Sequence, residues 1–167
     1  KANVIAVIVT MPADLLTPLA VYLKLANERE ASFLLESVEG GEALARYSFI
    51  GTDPHFTAIG NDRHVRVKDA AGERFIDIPV FDFLREHFAK YRLSEHEDLP
   101  SFAGGAIGSL GFGCSAWFEP SLRQRITSSE NDAEIMFCRT IVAFDHAKQV
   151  IKIVSLVFTD EADGSES

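Results

Sequence analysis

Residues 150–158 read VIKIVSLVF, with six aliphatic side chains in nine positions. A run this apolar and β-branched fits a strand covered on both faces, so the fold must enclose it. The preceding segment, Glu134 to Phe144, is also strand-like, and Asp145-His146-Ala147-Lys148 offers a turn between the two. The chain therefore ends in a predicted hairpin, with Ile141, Val142, Ile151, Ile153 and Val154 as its expected core.

The rest of the chain feeds such a sheet. Val4 to Val9 is apolar and β-branched, a strand or an extended arm. Thr17 can cap a helix that Pro18 opens, with Leu19, Tyr22, Leu23 and Ala26 at helical spacing. Strands are predicted at Ser32–Val38 and Arg46–Gly51, joined across Gly40-Gly41. Asp53-Pro54 ends the second of these. His55–Gly60 and His64–Lys68 form a hairpin across Asn61-Asp62, and Glu73–Ile78 is a further strand. Pro79 opens a second helix, with Val80, Phe83, Leu84, His87 and Tyr91 on one face. Phe102–Phe112 is a glycine-rich strand in which backbones approach closely, and Trp117–Arg125 is irregular. About nine strands and two helices, without βαβ alternation, define an α+β fold. It is mostly antiparallel sheet, sandwich-like, flanked by two or more helices. Residues 1–159 are expected to form one domain, with room for two small lobes, and the acidic tail 160–167 to be disordered.

Charge and cysteine content narrow the partners. Asp and Glu outnumber Lys and Arg by 25 to 16, a net charge of −9, a poor match for nucleic acid or an anionic membrane. No apolar run approaches the roughly 18 residues of a membrane span. The first ten residues are too short for a secretory signal. Two cysteines, Cys114 and Cys138, make no disulfide framework, and a cytoplasmic setting is the expectation.

No catalytic constellation is present in the pattern. The five histidines (His55, His64, His87, His96 and His146) form no zinc spacing with one another or with the cysteines. Ser109 lacks a nucleophile elbow and Cys114 lacks a nearby histidine in sequence. Gly104-Gly105-Ala106-Ile107-Gly108 is not followed by a helix that could cradle phosphate. The expectation is no catalytic residue, no metal ligand and no cofactor within this chain.

One site stands out. Strand alternation in Phe33-Leu34-Leu35-Glu36-Ser37-Val38 puts Glu36 between Leu34 and Val38 on one face. A buried carboxylate there needs a cation or costs several kcal/mol. Arg46, across the glycine turn, is one possible partner; a ligand ammonium is the other.

These residues also carry a resemblance. SFLLESVEGGE (Ser32 to Glu42) followed by ARYSFIGTDP (Ala45 to Pro54) resembles the N-terminal region of anthranilate synthase component I, a chorismate-utilising enzyme family. DLLTPLAVYLKL (Asp14 to Leu25), FAGGAIGSLGF (Phe102 to Phe112) and IVAFDH (Ile141 to His146) are similar to further segments of that family. The resemblance implies a regulatory and scaffolding domain. The family's larger C-terminal domain, which binds chorismate and Mg²⁺, is absent from these residues. It implies two protein partners, that chorismate-binding domain and a glutamine amidotransferase subunit. It also implies L-tryptophan as effector, with Leu35, Glu36, Ser37 and Arg46 at the matching positions. The family usually reads Gly-Tyr-Leu-Gly-Tyr-Asp, then Val-Arg and Glu. Here Ser109, Phe112-Gly113 and Ala116 depart from that pattern, while Glu119 is kept. A domain of aminodeoxychorismate synthase component I, or a non-enzymatic amino-acid-binding module, are the alternative readings.

Overall fold

The computed structural model describes residues 2–26, 31–36, 46–126, 129 and 131–159. The fold is α+β, with two five-stranded antiparallel sheets and short helices. The chain divides into two compact units. The first comprises Lys1–Pro54, Arg92–Gly105 and Cys138–Ser167; the second comprises His55–Tyr91 and Ala106–Phe137. The tail 160–167 lies outside the described residues.

The sheet of the first unit has β1 (Val4–Pro12), β2 (Ser32–Glu36), β3 (Tyr47–Thr52), β9 (Thr140–Asp145) and β10 (Val150–Phe158), in the order β1-β10-β9-β3-β2. The sheet of the second unit has β4 (Phe56–Gly60), β5 (Val65–Asp69), β6 (Gly72–Ile76), β7 (Gly105–Leu110) and β8 (Ala133–Cys138), in the order β6-β5-β4-β8-β7. The predicted strand Glu134–Phe144 is therefore two strands in two different sheets. The ladder breaks at Arg139, which belongs to neither β8 nor β9. Apolar runs of four residues, Ile135–Cys138 and Ile141–Phe144, flank Arg139-Thr140, and a single long strand accommodates two polar residues as readily as a break does.

In the first unit, β10 pairs with β1 over nine residues and with β9 over six. Its first half is covered on both faces: Ile151, Lys152 and Val154 are buried. The Lys152 ammonium donates to the Asp98 carbonyl at 2.6 Å, with the Asp98 carboxylate 3.5 Å away. Ile141 is buried as expected, whereas Val142 and its cross-strand partner Ile153 are half-buried. The second half opens to solvent, and Val157 is exposed.

Helix α1 (Pro18–Leu25) is capped as predicted: the Thr17 hydroxyl accepts from the Ala20 N–H at 3.2 Å. Its buried face is different from the expected one. Val21 and Tyr22 pack on Ile50, Phe144 and Ile151, while Leu19 and Leu23 are exposed. In PLAVYLKL nearly every position is apolar, so the spacing does not single out one stripe; contact with the sheet does.

The second unit packs as its sequence suggests. The Asn61 side chain closes the β4–β5 hairpin by accepting from the Arg63 and His64 N–H groups. Helix α2 (Val80–Ala89) buries Val80 and lays Phe83 and Leu84 on Phe56, Val65, Val67, Ile135 and Phe137. The glycine-rich strand is shorter than predicted: Gly104, with positive φ, precedes its start, and a 3₁₀ turn from Phe112 follows its end. A Cβ on Gly108 would collide with the Glu134 carbonyl of β8, which is the expected close approach. The irregular stretch after it contains 3₁₀ turns at Phe112–Cys114 and Pro120–Leu122 and a one-turn helix, α3 (Ser115–Phe118).

Candidate functional site

The singled-out residues lie where β2 and β3 run side by side. Leu35 pairs with Phe49, and Glu36 with Ser48. Alternation then gives the two neighbours opposite faces. Leu35 shares its face with Phe33, Tyr47 and Phe49; Glu36 shares the other with Ser48, across from Phe144 on β9. Ser37 and the turn at Gly40-Gly41 lie outside the described residues.

The face that Glu36 shares is buried at Ser48, Ile50 and Phe144, with Leu34 packed on that core, but the burial does not extend to Glu36 itself. Glu36 is exposed at the end of its strand, so it needs no internal cation. Arg46 has a different partner. Its Nε donates to Asp145 Oδ1 at 3.1 Å and its Nη2 to Asp145 Oδ2 at 2.7 Å. The predicted Glu36–Arg46 pair is thus replaced by an Arg46–Asp145 pair. The reason is topology: β3 pairs with β9, which puts Asp145 opposite Tyr47. Burial raises the Asp145 carboxyl, but the Arg46 guanidinium and the Lys148 N–H outweigh it and hold it below the usual carboxylate range. The same hydrogen bonding holds Arg46 firmly protonated.

Sequence reasoning missed Asp145, Tyr47 and Phe49. Tyr47 stacks on Phe49 with ring centroids 5.6 Å apart, Phe49 meets Phe102 edge-on, and Phe102 meets Phe33. The Arg46 guanidinium carbon stands 4.9 Å from the Tyr47 ring centroid. Burial pushes the Tyr47 phenol up. Alternation in Arg46-Tyr47-Ser48-Phe49 was the available signal for the aromatic pair. Nothing local signals Asp145, which is 99 residues from Arg46. The result is one sheet face bearing Leu35 and stacked aromatic rings, bordered by a guanidinium whose side chain is 38% exposed. That arrangement suits an aromatic ring beside a carboxylate.

In the second unit, Gly113 is explained by Asp132. A Cβ on Gly113 would run into the Asp132 carboxylate, so an aspartate at this position would meet both a clash and a like charge. Ala116 is buried, Ser109 exposed, and Glu119 has its pKa lowered by hydrogen bonds from the Ser121 hydroxyl and N–H. Cys114 donates to the Asp132 carbonyl and has its thiol raised by burial; burial pushes Cys138 up to about 11. Neither is an activated nucleophile. Among the described residues, no group of three His, Cys, Asp or Glu side chains could hold a metal ion, and no helix is long and apolar enough to cross a membrane.

No family model matches the chain. Curated proteins do. The probable anthranilate synthase component 1 of Schizosaccharomyces pombe is 38% identical over 159 residues, covering 94% of this chain and 29% of that protein. Anthranilate synthase component 1 of Saccharomyces cerevisiae is 33% identical, covering 98% and 32%. Over nearly its whole length the chain is homologous to anthranilate synthase component 1. It spans about a third of the length of these component 1 relatives, from 29% to 32%. The fold agrees: the crystal structure of anthranilate synthase component I from Streptococcus pneumoniae TIGR4 superposes with a TM-score of 0.54 at 23% identity, covering 90% of this chain and 32% of that one.

Proposed function

We propose that this chain is the N-terminal regulatory and scaffolding domain of an anthranilate synthase component I. The parent protein would convert chorismate and ammonia to anthranilate and pyruvate in tryptophan biosynthesis. The chorismate and Mg²⁺ would be held by a C-terminal catalytic domain, and a glutamine amidotransferase subunit would supply the ammonia. The chain's own contribution is part of a tryptophan feedback site. The observation that carries this reading is the 38% identity over 94% of the chain to a component 1 protein.

The geometry supports a role for the first unit's sheet in effector binding. Arg46 is anchored by Asp145 but retains exposed N–H groups, so it can take a ligand carboxylate. The Tyr47–Phe49 stack beside Leu35 offers apolar surface to an indole. Glu36, exposed at the strand end, is available to an ammonium. Because Leu35 and Glu36 point to opposite faces, the ligand would have to reach around the end of β2, where Ser37 follows. The test is an assay of the parent protein, joined to its chorismate-binding domain, with chorismate, Mg²⁺ and ammonia. Anthranilate as product, with inhibition by free tryptophan relieved in Arg46→Ala, supports the reading. An aminodeoxychorismate product overturns the enzyme assignment. Tryptophan inhibition that survives Arg46→Ala, Glu36→Gln and Ser37→Ala unchanged overturns the effector site.

A further inference from the structure

Arg46 immediately precedes β3. Continued back from Ser48, strand alternation sends its side chain to the face of Ser48 and Glu36. The guanidinium is found on the other face. Asp145 pairs with Tyr47 across the β3–β9 ladder, so its carboxylate shares the face that bears Leu35, Tyr47 and Phe49. Both of its oxygens accept from Arg46, and the guanidinium carbon lies 4.9 Å from the Tyr47 ring centroid. Asp145 thus turns Arg46 onto the aromatic face.

The anchor is itself held. Asp145 is 1% exposed, and its Oδ1 also accepts from the Lys148 N–H at 3.1 Å. The Arg46 carbonyl accepts from the His146 N–H at 2.9 Å, so backbone and side chain of Arg46 are tied to the same turn. The shape of the guanidinium then decides which donors remain. Nε and Nη2 meet Asp145 side-on. Nη1 and the second Nη2 hydrogen form the end-on fork, and among the described residues no other group accepts from it. Such a fork matches a second carboxylate lying in the guanidinium plane. A freely rotating arginine loses side-chain freedom on gripping a carboxylate; an anchored one has already lost it.

We propose that Asp145 is a positioning residue of the effector site: by holding one edge of Arg46 it presents the end-on fork to the carboxylate of an amino acid whose ring lies on Tyr47 and Phe49. This rests on the tryptophan reading and adds to it a residue that touches no effector. An Asp145 that merely neutralised Arg46 would act with the opposite sign. Removing a neutralising charge strengthens the grip on a carboxylate, whereas removing an anchor weakens it.

The test is tryptophan inhibition of the parent protein, joined to its chorismate-binding domain, with chorismate, Mg²⁺ and ammonia. It compares the parent, Asp145→Asn, and Asp145→Asn combined with Arg46→Ala. Asp145→Asn should raise the half-inhibitory tryptophan concentration about tenfold or more, as loss of a charge-assisted hydrogen bond does. The double variant should be no weaker than Asp145→Asn, since Arg46 contributes only while it is held. Asp145→Glu keeps the charge and displaces it by one methylene; it too should weaken tryptophan, and it replaces Asp145→Asn if that variant does not fold. The proposal alone is overturned if tryptophan inhibits Asp145→Asn as strongly as the parent, or more strongly, while the double variant is weakened. It is equally overturned if the double variant is about tenfold weaker than Asp145→Asn. Tryptophan that inhibits none of the three proteins, or all three alike, overturns the effector role of Arg46 and this proposal with it.

Discussion

The two units bury polar groups in different places. In the second unit the buried polar residues are Asn61 and Asp132, and both pin turns: Asn61 closes a hairpin, and Asp132 accepts from Ser129. Its core is apolar, with Ala58, Val65, Val67 and Ala133 of the sheet and Val80 of α2 fully enclosed. In the first unit the buried polar residues Ser48, Asp145 and Lys152 sit on the strands themselves. That unit also leaves Ile5, Val7 and Val9 of β1 and Leu19 and Leu23 of α1 exposed. The second unit exposes apolar groups too, Phe75, Phe112 and Phe118 among them, so what sets the first unit apart is the charge carried inside its sheet. Charged pairs inside a sheet add little net stability over apolar packing, and exposed apolar patches favour association. Asp145 and Lys152 thus specify particular partners within the first unit, whereas the second unit's sheet relies on apolar packing.

Breaking the scaffold should have the largest effect. At Gly108, β7 approaches β8 so closely that any Cβ meets the Glu134 carbonyl and the Ile135 backbone. The obstacle is backbone, which has no rotamer to yield. Gly108→Ala should cost about 3 kcal/mol or more, at the upper end of overpacking penalties. Urea unfolding checks it: a midpoint shift equivalent to less than about 1 kcal/mol would mean that β7 and β8 separate freely.

That close approach was readable in advance, since a glycine-rich apolar strand has few other uses. So was the β4–β5 hairpin, where Asn61-Asp62 interrupts two alternating segments. Local chemistry determines both. The break at Arg139 was not readable, because the apolar runs Ile135–Cys138 and Ile141–Phe144 are alike and only the change of sheet marks the boundary. The Arg46 partner was hidden for a related reason. Sequence proximity favoured Glu36, and only the β3–β9 ladder brings Asp145 to Arg46. For α1, eight nearly uniform apolar positions left the buried stripe to be chosen by Ile50, Phe144 and Ile151.

The Arg46–Asp145 pair comes next in magnitude. Asp145→Asn removes the charge of a fully buried carboxylate but leaves a partly exposed Arg46 that water can solvate. The expected loss is about 2–3 kcal/mol, below that for a pair in which both members are buried. The pH dependence has a definite sign. The folded Asp145 pKa is depressed from 3.8, so its stabilisation is present above that value and is lost as pH falls through the lower, folded pKa. The variant should therefore lose less stability than the parent between about pH 4 and pH 2. Parallel acid denaturation curves for the two would mean that the pair contributes nothing.

Position along β10 sharpens the contrast within the first unit. Ile153 is half-buried against half-buried Val142, so Ile153→Ala should cost about 1–2 kcal/mol, less than for a fully enclosed isoleucine. Ile141, 1% exposed, should cost about 2–5 kcal/mol on the same substitution. Equal losses at the two sites in thermal or denaturant unfolding would show that the face bearing Ile153 is enclosed in solution, for example by association.

The smallest stability effect belongs to Glu36. Exposed at the end of β2, and with no ion pair to Arg46, it should tolerate Glu36→Gln within about 0.5 kcal/mol. A structural carboxylate and a recognition carboxylate differ here in a measurable way. The first loses melting temperature on substitution; the second loses only ligand. In the parent protein, Glu36→Gln should keep its melting temperature and weaken tryptophan inhibition roughly ten- to hundredfold, the equivalent of about 1.5–3 kcal/mol for a charge-assisted hydrogen bond. The rate without tryptophan should be unchanged, because Glu36 has no part in the chorismate chemistry of this reading. A fall in melting temperature with the inhibition curve in place would return Glu36 to a structural role and leave Arg46 with its aromatic neighbours as the recognition surface.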